Sequence, residues 1–213
     1  MLNPIVIAYH LVWTAYGWWL PNDLRGSGSK HIAQDIFKQL GDLHKGRKQI
    51  QPASTEVRDF YEKAAGLLKY LLLKFGNSQV LAIAQAFGQV VQDCRYTCYA
   101  CAVMPDHIHI LIRKHKHRAE EMLEHFHRAG RLAVAGNGDW GADHPVFGTG
   151  GWKVFLDEPR EIWRTIPYVE QNPVKIGLPV QQWGFVTPYD NWPLHEGHSP
   201  NSPYARRLRG LGR

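Results

Sequence analysis

Two histidines in the segment VMPDHIHILI have a spacing that suits metal chemistry. His107 and His109 are separated by one residue. In a β-strand they would project from one face, while Ile108, Ile110 and Ile112 would point from the other face into a core. Two neighbouring imidazoles can bind a divalent ion, but a working site needs a further ligand and open positions for substrate. The pair predicts part of a metal site, with ordinary core or surface histidines as the alternative.

Two further pairs of the same form have less suitable surroundings. His115 and His117 belong to the basic run RKHKHR, which favours solvated side chains. His125 and His127 fall in a predicted helix, where side chains two residues apart diverge by about 200°. Neither pair is therefore expected to share a metal ion.

A tyrosine and an amide share one face of the helix predicted before Asn172-Pro173. Tyr168 and Asn172 are four residues apart, whereas Ile162, Ile166 and Val169 cluster on another face. A tyrosine hydroxyl can attack a phosphodiester that a metal ion polarises, and the product is a phosphotyrosine. A packing or surface role for Tyr168 is the alternative.

Pro167 stands directly before this tyrosine. A proline inside a helix removes the hydrogen bond to the carbonyl of Trp163 and predicts a kink. The kink aims Tyr168, or the helix starts anew at this point, or the chain has lost its activity.

Hydrophobic periodicity predicts the elements that position these residues. The predicted strands and helices are a strand over 5–19, helices over 56–74 and 81–93, strands over 95–104 and 107–113, a helix over 120–134, a strand over 152–156 and a helix from 159 to 172. Strand, helix, hairpin, helix and strand form a split β-α-β unit. We therefore predict an α+β fold, a ferredoxin-like antiparallel sheet with helices packed on one face and the other face free for a ligand.

The domain organisation follows from composition along the chain. Residues 1–194 are expected to form one domain with a surface insertion at about 22–54. Residues 195–213 end in RRLRGLGR and are expected to form a basic, mobile tail.

The charge balance makes a polyanion the first partner to consider. The 213 residues carry 25 Lys and Arg against 19 Asp and Glu, a net charge of +6. Trp18 and Trp19 are candidates for base stacking. The candidate phosphate contacts are Arg25, Arg206, Arg207 and Arg209. A single loop arginine such as Arg25 is otherwise ordinarily solvated, and Asp106 is expected to be a turn residue.

Composition also excludes several classes of protein. A hydrophobic content of 44% excludes general disorder, and no apolar stretch approaches the roughly 20 residues of a membrane span. Cys94, Cys98 and Cys101 are an odd number within one short stretch, which argues against a disulfide framework, and they are expected to be buried strand residues, with metal binding as the alternative. With no recognisable leader, a cytoplasmic protein associated with chromosomal DNA and without a membrane partner is expected.

The combined motifs carry a family resemblance. VMPDHIHILI, followed far downstream by YVEQNPVKIGLP, resembles the HUH single-tyrosine transposases. The start YHLVWTAYGWWLP is most similar to the REP-associated tyrosine transposase branch. The resemblance spans roughly 9–192, is weak in the insertion and does not extend to the tail.

The resemblance implies an activity, a substrate and a site. The implied activity is Mg²⁺- or Mn²⁺-dependent cleavage and rejoining of single-stranded DNA that contains hairpins, through a 5′-phosphotyrosine. On this match Tyr168 is the nucleophile and His107, His109 and Asn172 are the metal ligands, with Gln171 the nearest competitor for the third position. The active form is a monomer or a homodimer.

Two other functions remain open from the sequence. One is a nucleic-acid-binding module without catalysis, such as a domesticated transposase. The other is a metallohydrolase in which a water molecule replaces Tyr168 as the nucleophile.

Overall fold

The computed structural model describes residues 6–46, 48–135, 143–193 and 206. The strands are β1 (Ala8–Thr14), β2 (Cys98–Val103), β3 (His107–Arg113) and β4 (Trp152–Leu156). The helices are α1 (Ser54–Ala65), α2 (Asn77–Cys94), α3 (Ala119–Val134), α4 (Pro159–Glu170) and α5 (Asn172–Lys175), with a 3₁₀ helix at Asp35–Leu40. Arg207 and Arg209, two of the predicted phosphate contacts, lie outside the described residues.

The four strands form one antiparallel sheet in the order β2-β3-β1-β4. β3 and β1 are therefore the central strands, and each was predicted from alternating or β-branched residues. In their register, Thr14 lies opposite His107 and Val12 lies opposite His109. This arrangement confirms the predicted α+β fold with an antiparallel sheet.

One face of the sheet is buried against α2 and α3. Ile108, Ile110 and Ile112 are fully buried and belong to the main core, as the strand alternation predicts. Trp13 of β1 packs in the same core beside Phe87 of α2, with ring centroids 5.7 Å apart. Because side chains alternate along a strand, His107 and His109 belong to the other face.

That other face is only partly free, which refines the expectation that all helices pack on one side. Ile162 and Val169 of α4 pack in a second core with Leu111 and Leu156 of the sheet. An amphipathic helix covers apolar sheet surface in this way because its apolar stripe must be buried. The uncovered part of the face remains available for a ligand.

The helix predicted over 56–74 is too long. α1 ends at Ala65, and the chain beyond it is not helical. The backbone N–H of Leu73 donates to the carbonyl of Tyr16, and that of Phe75 donates to the carbonyl of Pro105. The leucines at 67, 68 and 72 are apolar because they pack against the cluster around Phe37 and Phe60.

The insertion is more than a surface loop. Asn22 and Asp23 at its start are fully buried, and Phe37 packs with Phe60 and Tyr61 of α1. The insertion therefore has its own small core, which rests on α1 and on the turn that follows β1.

Among the described residues, no helix combines the length and the apolar character that crossing a bilayer requires.

Candidate active site

A cleft of about 1020 Å³ lies over the uncovered part of the sheet face. His107, His109, Tyr168 and Asn172 all line it. The structure thus brings together the four residues that were predicted as metal ligands and nucleophile. Their meeting depends on α4, which crosses the sheet beside β3 and ends at the mouth of the cleft.

The two histidines of β3 stand side by side, with ring centroids 4.8 Å apart. Each has its Nδ1 atom engaged by a neighbour. The Nδ1–H of His107 donates to Asp106 Oδ1 at 2.7 Å, and His109 Nδ1 lies 2.9 Å from Nε2 of His10. The Nε2 atom of each histidine is consequently the atom left for a ligand in the cleft.

Burial keeps the inner imidazoles uncharged. It lowers the pKa of His10 to about 4. The pKa of His109 is lowered well below its usual range, first by burial and then by the positive charges of His107, His10 and Lys175. Between two neutral rings, one N–H donates and one lone pair accepts. The tautomer in which His109 Nδ1–H donates to His10 leaves His109 Nε2 with a free lone pair.

Asp106 is more than the turn residue that was expected. Burial raises its pKa, but the hydrogen bond from His107 and the charges of His107 and Arg25 outweigh that effect, so the pKa is lowered overall. The carboxylate remains ionised and fixes the orientation of the His107 ring. Carboxylate partners of this kind orient metal-binding histidines in many proteins.

The donor set fits a divalent cation. His107 and His109 offer two imidazole nitrogens whose orientation is fixed by Asp106 and His10. Asn172 lines the same cleft, and its Nδ2 atom donates to the carbonyl of Tyr168 at 2.8 Å, so Oδ1 is the atom with which this side chain would bind an ion. Nitrogen and oxygen ligands with open positions suit an ion that also binds phosphate oxygens.

Tyr168 stands over the two buried histidines. Its ring centroid lies 5.7 Å from that of His109 and 5.9 Å from that of His10, both edge to face. The side chain remains 38% exposed, so a substrate can reach its hydroxyl from the cleft. Lys175 Nζ lies 4.7 Å from the centre of the tyrosine ring. The ammonium group therefore makes a cation–π contact with the face of the ring.

Pro167 does not end α4. The helix runs from Pro159 to Glu170, and the backbone N–H of Gln171 donates to the Pro167 carbonyl at 3.0 Å. Of the alternatives for this proline, a new helix start at Tyr168 is therefore wrong. Gln171 is exposed, whereas Asn172 is partly buried and lines the cleft, which favours Asn172 as the third ligand.

A second polar network forms another wall of the cleft. The guanidinium of Arg25 binds both carboxylate oxygens of Asp23 at 3.0 and 2.8 Å and stacks on Trp19, 3.8 Å from the ring centre. Tyr61 also donates to Asp23. Burial lowers the pKa of Arg25, but its bonds with Asp23 outweigh this and raise the pKa overall. The expectation of a merely solvated Arg25 is wrong, because the buried carboxylate holds it in place.

The neighbouring tryptophans 18 and 19 have different surroundings. Trp19 lines the cleft, with its ring edge to face against His107 at 5.0 Å. Trp18 instead packs on Tyr61 at 4.4 Å, and its indole N–H donates to the carbonyl of Leu73 at 2.6 Å. Trp18 thus holds α1 and the following chain against the end of β1 and is not among the residues that line the cleft, so its contact with DNA stays a prediction.

Several residues of the site gave no signal in the sequence. His10 and Asp23 are buried partners that are distant in the chain from the groups they orient, and Lys175 follows the proline that breaks the helix. The loop containing Gly150 and Gly151 forms part of the cleft wall. Arg206 is exposed.

Comparison with known proteins gives distant matches in structure alone. No family model and no curated protein sequence is significantly similar to the chain. A REP-associated tyrosine transposase solved with a REP hairpin aligns with a TM-score of 0.45 and 12% identity, covering 100% of this chain and 87% of that one. A Deinococcus radiodurans R1 protein, provisionally described as a transposase, aligns with a TM-score of 0.35 and 14% identity, covering 78% and 91%.

Proposed function

We propose that the protein is a metal-dependent endonuclease and strand transferase that acts on single-stranded DNA through a 5′-phosphotyrosine. The observation that carries the proposal is the meeting of Tyr168 with the oriented pair His107 and His109 in one cleft. The Nδ1 atoms of the two imidazoles contact Asp106 and His10, so their Nε2 atoms would bind the cation. The tyrosine beside them would then act as the nucleophile next to that cation. All three side chains come from the same chain, so a single copy can supply them.

The cation in this proposal is Mg²⁺ or Mn²⁺, held by His107, His109 and Asn172. When bound, it would polarise the scissile phosphate and stabilise negative charge on its oxygens. Asp106 and His10 orient the two imidazoles. The same support keeps the ligands in place before a substrate arrives.

Cleavage exchanges one phosphoester for another. The Tyr168 hydroxyl gives its proton to solvent at its exposed edge, and its oxygen bonds to phosphorus while the bond from phosphorus to the 3′-oxygen breaks. The leaving strand takes up a proton as a 3′-hydroxyl. Because the phosphotyrosine retains an ester bond, attack by another 3′-hydroxyl rejoins DNA without ATP.

Asn172 and Gln171 form a matched test of the metal site. Asn172→Ala is expected to raise the Mg²⁺ or Mn²⁺ concentration needed for half-maximal cleavage by about tenfold, because a ligand position is vacated. Gln171→Ala, one residue away and exposed, should leave that concentration unchanged. Cleavage measured as a function of metal concentration decides between Asn172 and Gln171. If Gln171→Ala alone raised the concentration needed, Gln171 would be the ligand.

The walls of the cleft suit an unpaired nucleic-acid strand. Trp19, Arg25, Lys45 and Lys153 line the cleft, so it offers an aromatic ring and cationic side chains, of which Arg25 is paired with Asp23 and Lys153 with Glu120. Base stacking combined with charge is the usual means of binding single strands. Hairpin-containing DNA is proposed as the substrate because the motif resemblance implies it.

Replacing Trp19 is expected to affect mainly DNA binding, and replacing Trp18 mainly stability. Trp19→Ala is expected to weaken single-stranded DNA binding about tenfold through lost stacking, and to lower the free energy of unfolding by only about 1 kcal/mol through the lost contact with Arg25. Trp18→Ala is expected to lower that free energy by about 3 kcal/mol, because its packing and hydrogen bond are lost. Fluorescence anisotropy and chemical denaturation of both variants test this. The same loss of affinity in both, at equal stability, would contradict the assignment.

A denaturing gel with labelled hairpin DNA distinguishes the proposal from its two rivals. The proposed enzyme yields a cleaved strand and a slowly migrating protein-DNA adduct when Mg²⁺ or Mn²⁺ is present. A metallohydrolase yields cleaved DNA without an adduct, and a binding module yields neither product.

A further inference from the structure

Three side chains with metal-binding atoms meet on the opposite side of the sheet from the cleft. Cys94 ends α2, His117 precedes α3, and His125 lies in the second turn of α3. One ligand atom from each lies within 4.8 Å of the others, and all three side chains are partly buried. Among the described residues, no other group of three or more Cys, His, Asp or Glu side chains brings its donor atoms this close together.

One distance between ligand atoms of the cluster matches a tetrahedral ion. Cys94 Sγ lies 3.6 Å from His125 Nδ1. A tetrahedral zinc ion with bonds of about 2.3 Å to sulfur and about 2.0 Å to nitrogen separates those two ligand atoms by about 3.5 Å, close to the distance found here. Tyr96 Oη lies 2.8 Å from the Nδ1 atoms of both His117 and His125. Both Nδ1 atoms therefore point at the phenol oxygen, and an ion bound by them would replace these two hydrogen bonds.

We propose that Cys94, His117 and His125 form a Zn²⁺ site that is separate from the catalytic cleft. One thiolate and two imidazoles are ligands that zinc favours, whereas Mg²⁺ and Mn²⁺ prefer oxygen. The Cys94 thiol releases its proton as the sulfur-metal bond forms. The two imidazoles exchange their hydrogen bonds with Tyr96 Oη for bonds to the ion, and a water molecule takes the fourth position.

The position of the site assigns it a structural role. It joins the end of α2 to the segment between β3 and α3 and to α3 itself. These helices cover the main core, where Tyr96 packs beside Phe126 with ring centroids 6.0 Å apart. A bound ion would therefore tie together the layer that supports β3 from behind.

Cobalt provides a direct test, because Co²⁺ replaces Zn²⁺ in such sites and its bond to a thiolate gives a charge-transfer band in the near ultraviolet. The catalytic cleft contains no cysteine. Cys98 and Cys101 are buried in β2, and burial raises the pKa of both thiols. A thiolate band in the full-length protein thus reports Cys94.

The expected result is a saturable thiolate band at one Co²⁺ per chain in the wild type, displaced by Zn²⁺. Cys94→Ser should lose the band and weaken Zn²⁺ binding more than about tenfold. His117→Ala should also weaken binding, whereas His31→Ala, which removes an exposed histidine of the insertion, should not.

Two results would overturn the proposal. One is a wild-type protein, folded by circular dichroism, that shows no thiolate band with Co²⁺. The other is a band that persists at full strength in folded Cys94→Ser, since the ligand would then be a different cysteine. Both readouts are spectroscopic, so they do not depend on DNA cleavage.

Discussion

Tyr168→Phe is expected to abolish both DNA cleavage and the covalent adduct while leaving binding of a single-stranded hairpin intact. Phenylalanine keeps the ring, which packs edge to face against His10 and His109. It removes the oxygen that would bond to phosphorus. The free energy of unfolding should stay within about 1 kcal/mol of the wild type, because the side chain is partly exposed and only a hydroxyl is lost.

Tyr16→Phe provides a matched control, since Tyr16 lies outside the residues that line the cleft. Parallel denaturing gels and anisotropy titrations give the two readouts. Cleavage by Tyr168→Phe at the wild-type rate would refute the proposed nucleophile. If instead the wild type cleaves and neither protein ever forms an adduct, the metallohydrolase is the correct alternative.

Removing both histidines of β3 is the second change with a large expected effect. His107→Ala with His109→Ala should reduce cleavage by at least about a thousandfold, because the ion that stabilises the transition state has lost its nitrogen ligands. DNA affinity should remain within a few-fold of the wild type, since distributed Lys and Arg residues supply most of it. Cleavage rates and binding constants measured at one salt concentration check both statements.

Stability must be followed in the same variants. His109 is buried against His10, so its replacement leaves that imidazole without its partner. His107→Ala alone retains this pair and serves as the milder variant. Undiminished cleavage by the double variant in the presence of EDTA would contradict the metal assignment.

The positions of the candidate catalytic residues were predictable because they follow local periodicities. Strand alternation places His107 and His109 on one face, and helical spacing relates Tyr168 to Asn172. These rules depend only on neighbours in the chain. The meeting of the two pairs depends on how α4 crosses the sheet, which local periodicity does not specify.

The residues that support the site could not be predicted in this way. His10 reaches His109 only through the pairing of β1 with β3, and Asp23 reaches Tyr61 through the packing of the insertion on α1. Such contacts join positions far apart in the chain.

The proposed zinc site could not be predicted from local spacing either. His125 and His127 diverge on α3, as expected, but His125 turns towards Cys94 and His117 instead. Cys94 itself ends α2 and is not the strand residue that was predicted, whereas Cys98 and Cys101 are buried in β2 as expected. The spacing of His125 and His127 argued against a metal ion shared by these two histidines. The proposed donors come instead from three places in the chain, the end of α2, the segment before α3 and α3 itself.

α1 is shorter than predicted because apolar residues that pack in a loop can have the same spacing as those of a helix. Leu68 and Leu72 continue the helical spacing of the preceding residues, yet they lie in a non-helical segment packed against the turn at Gly17. Gly17 has a φ of 84°, and a Cβ there would lie 2.7 Å from Leu72 Cδ1. Leu68 and Leu72 are apolar because they pack against this turn, so their helical spacing does not indicate a helix.

Peptide mapping of the covalent adduct tests the central claim most directly. Wild-type protein is incubated with hairpin DNA and Mn²⁺, the DNA is digested with nuclease, and the protein is cleaved and analysed by mass spectrometry. We predict a peptide that carries a 5′-linked nucleotide on Tyr168 and on no other tyrosine. A modification on a different residue, or cleaved DNA with every tyrosine unmodified, would contradict the proposed mechanism.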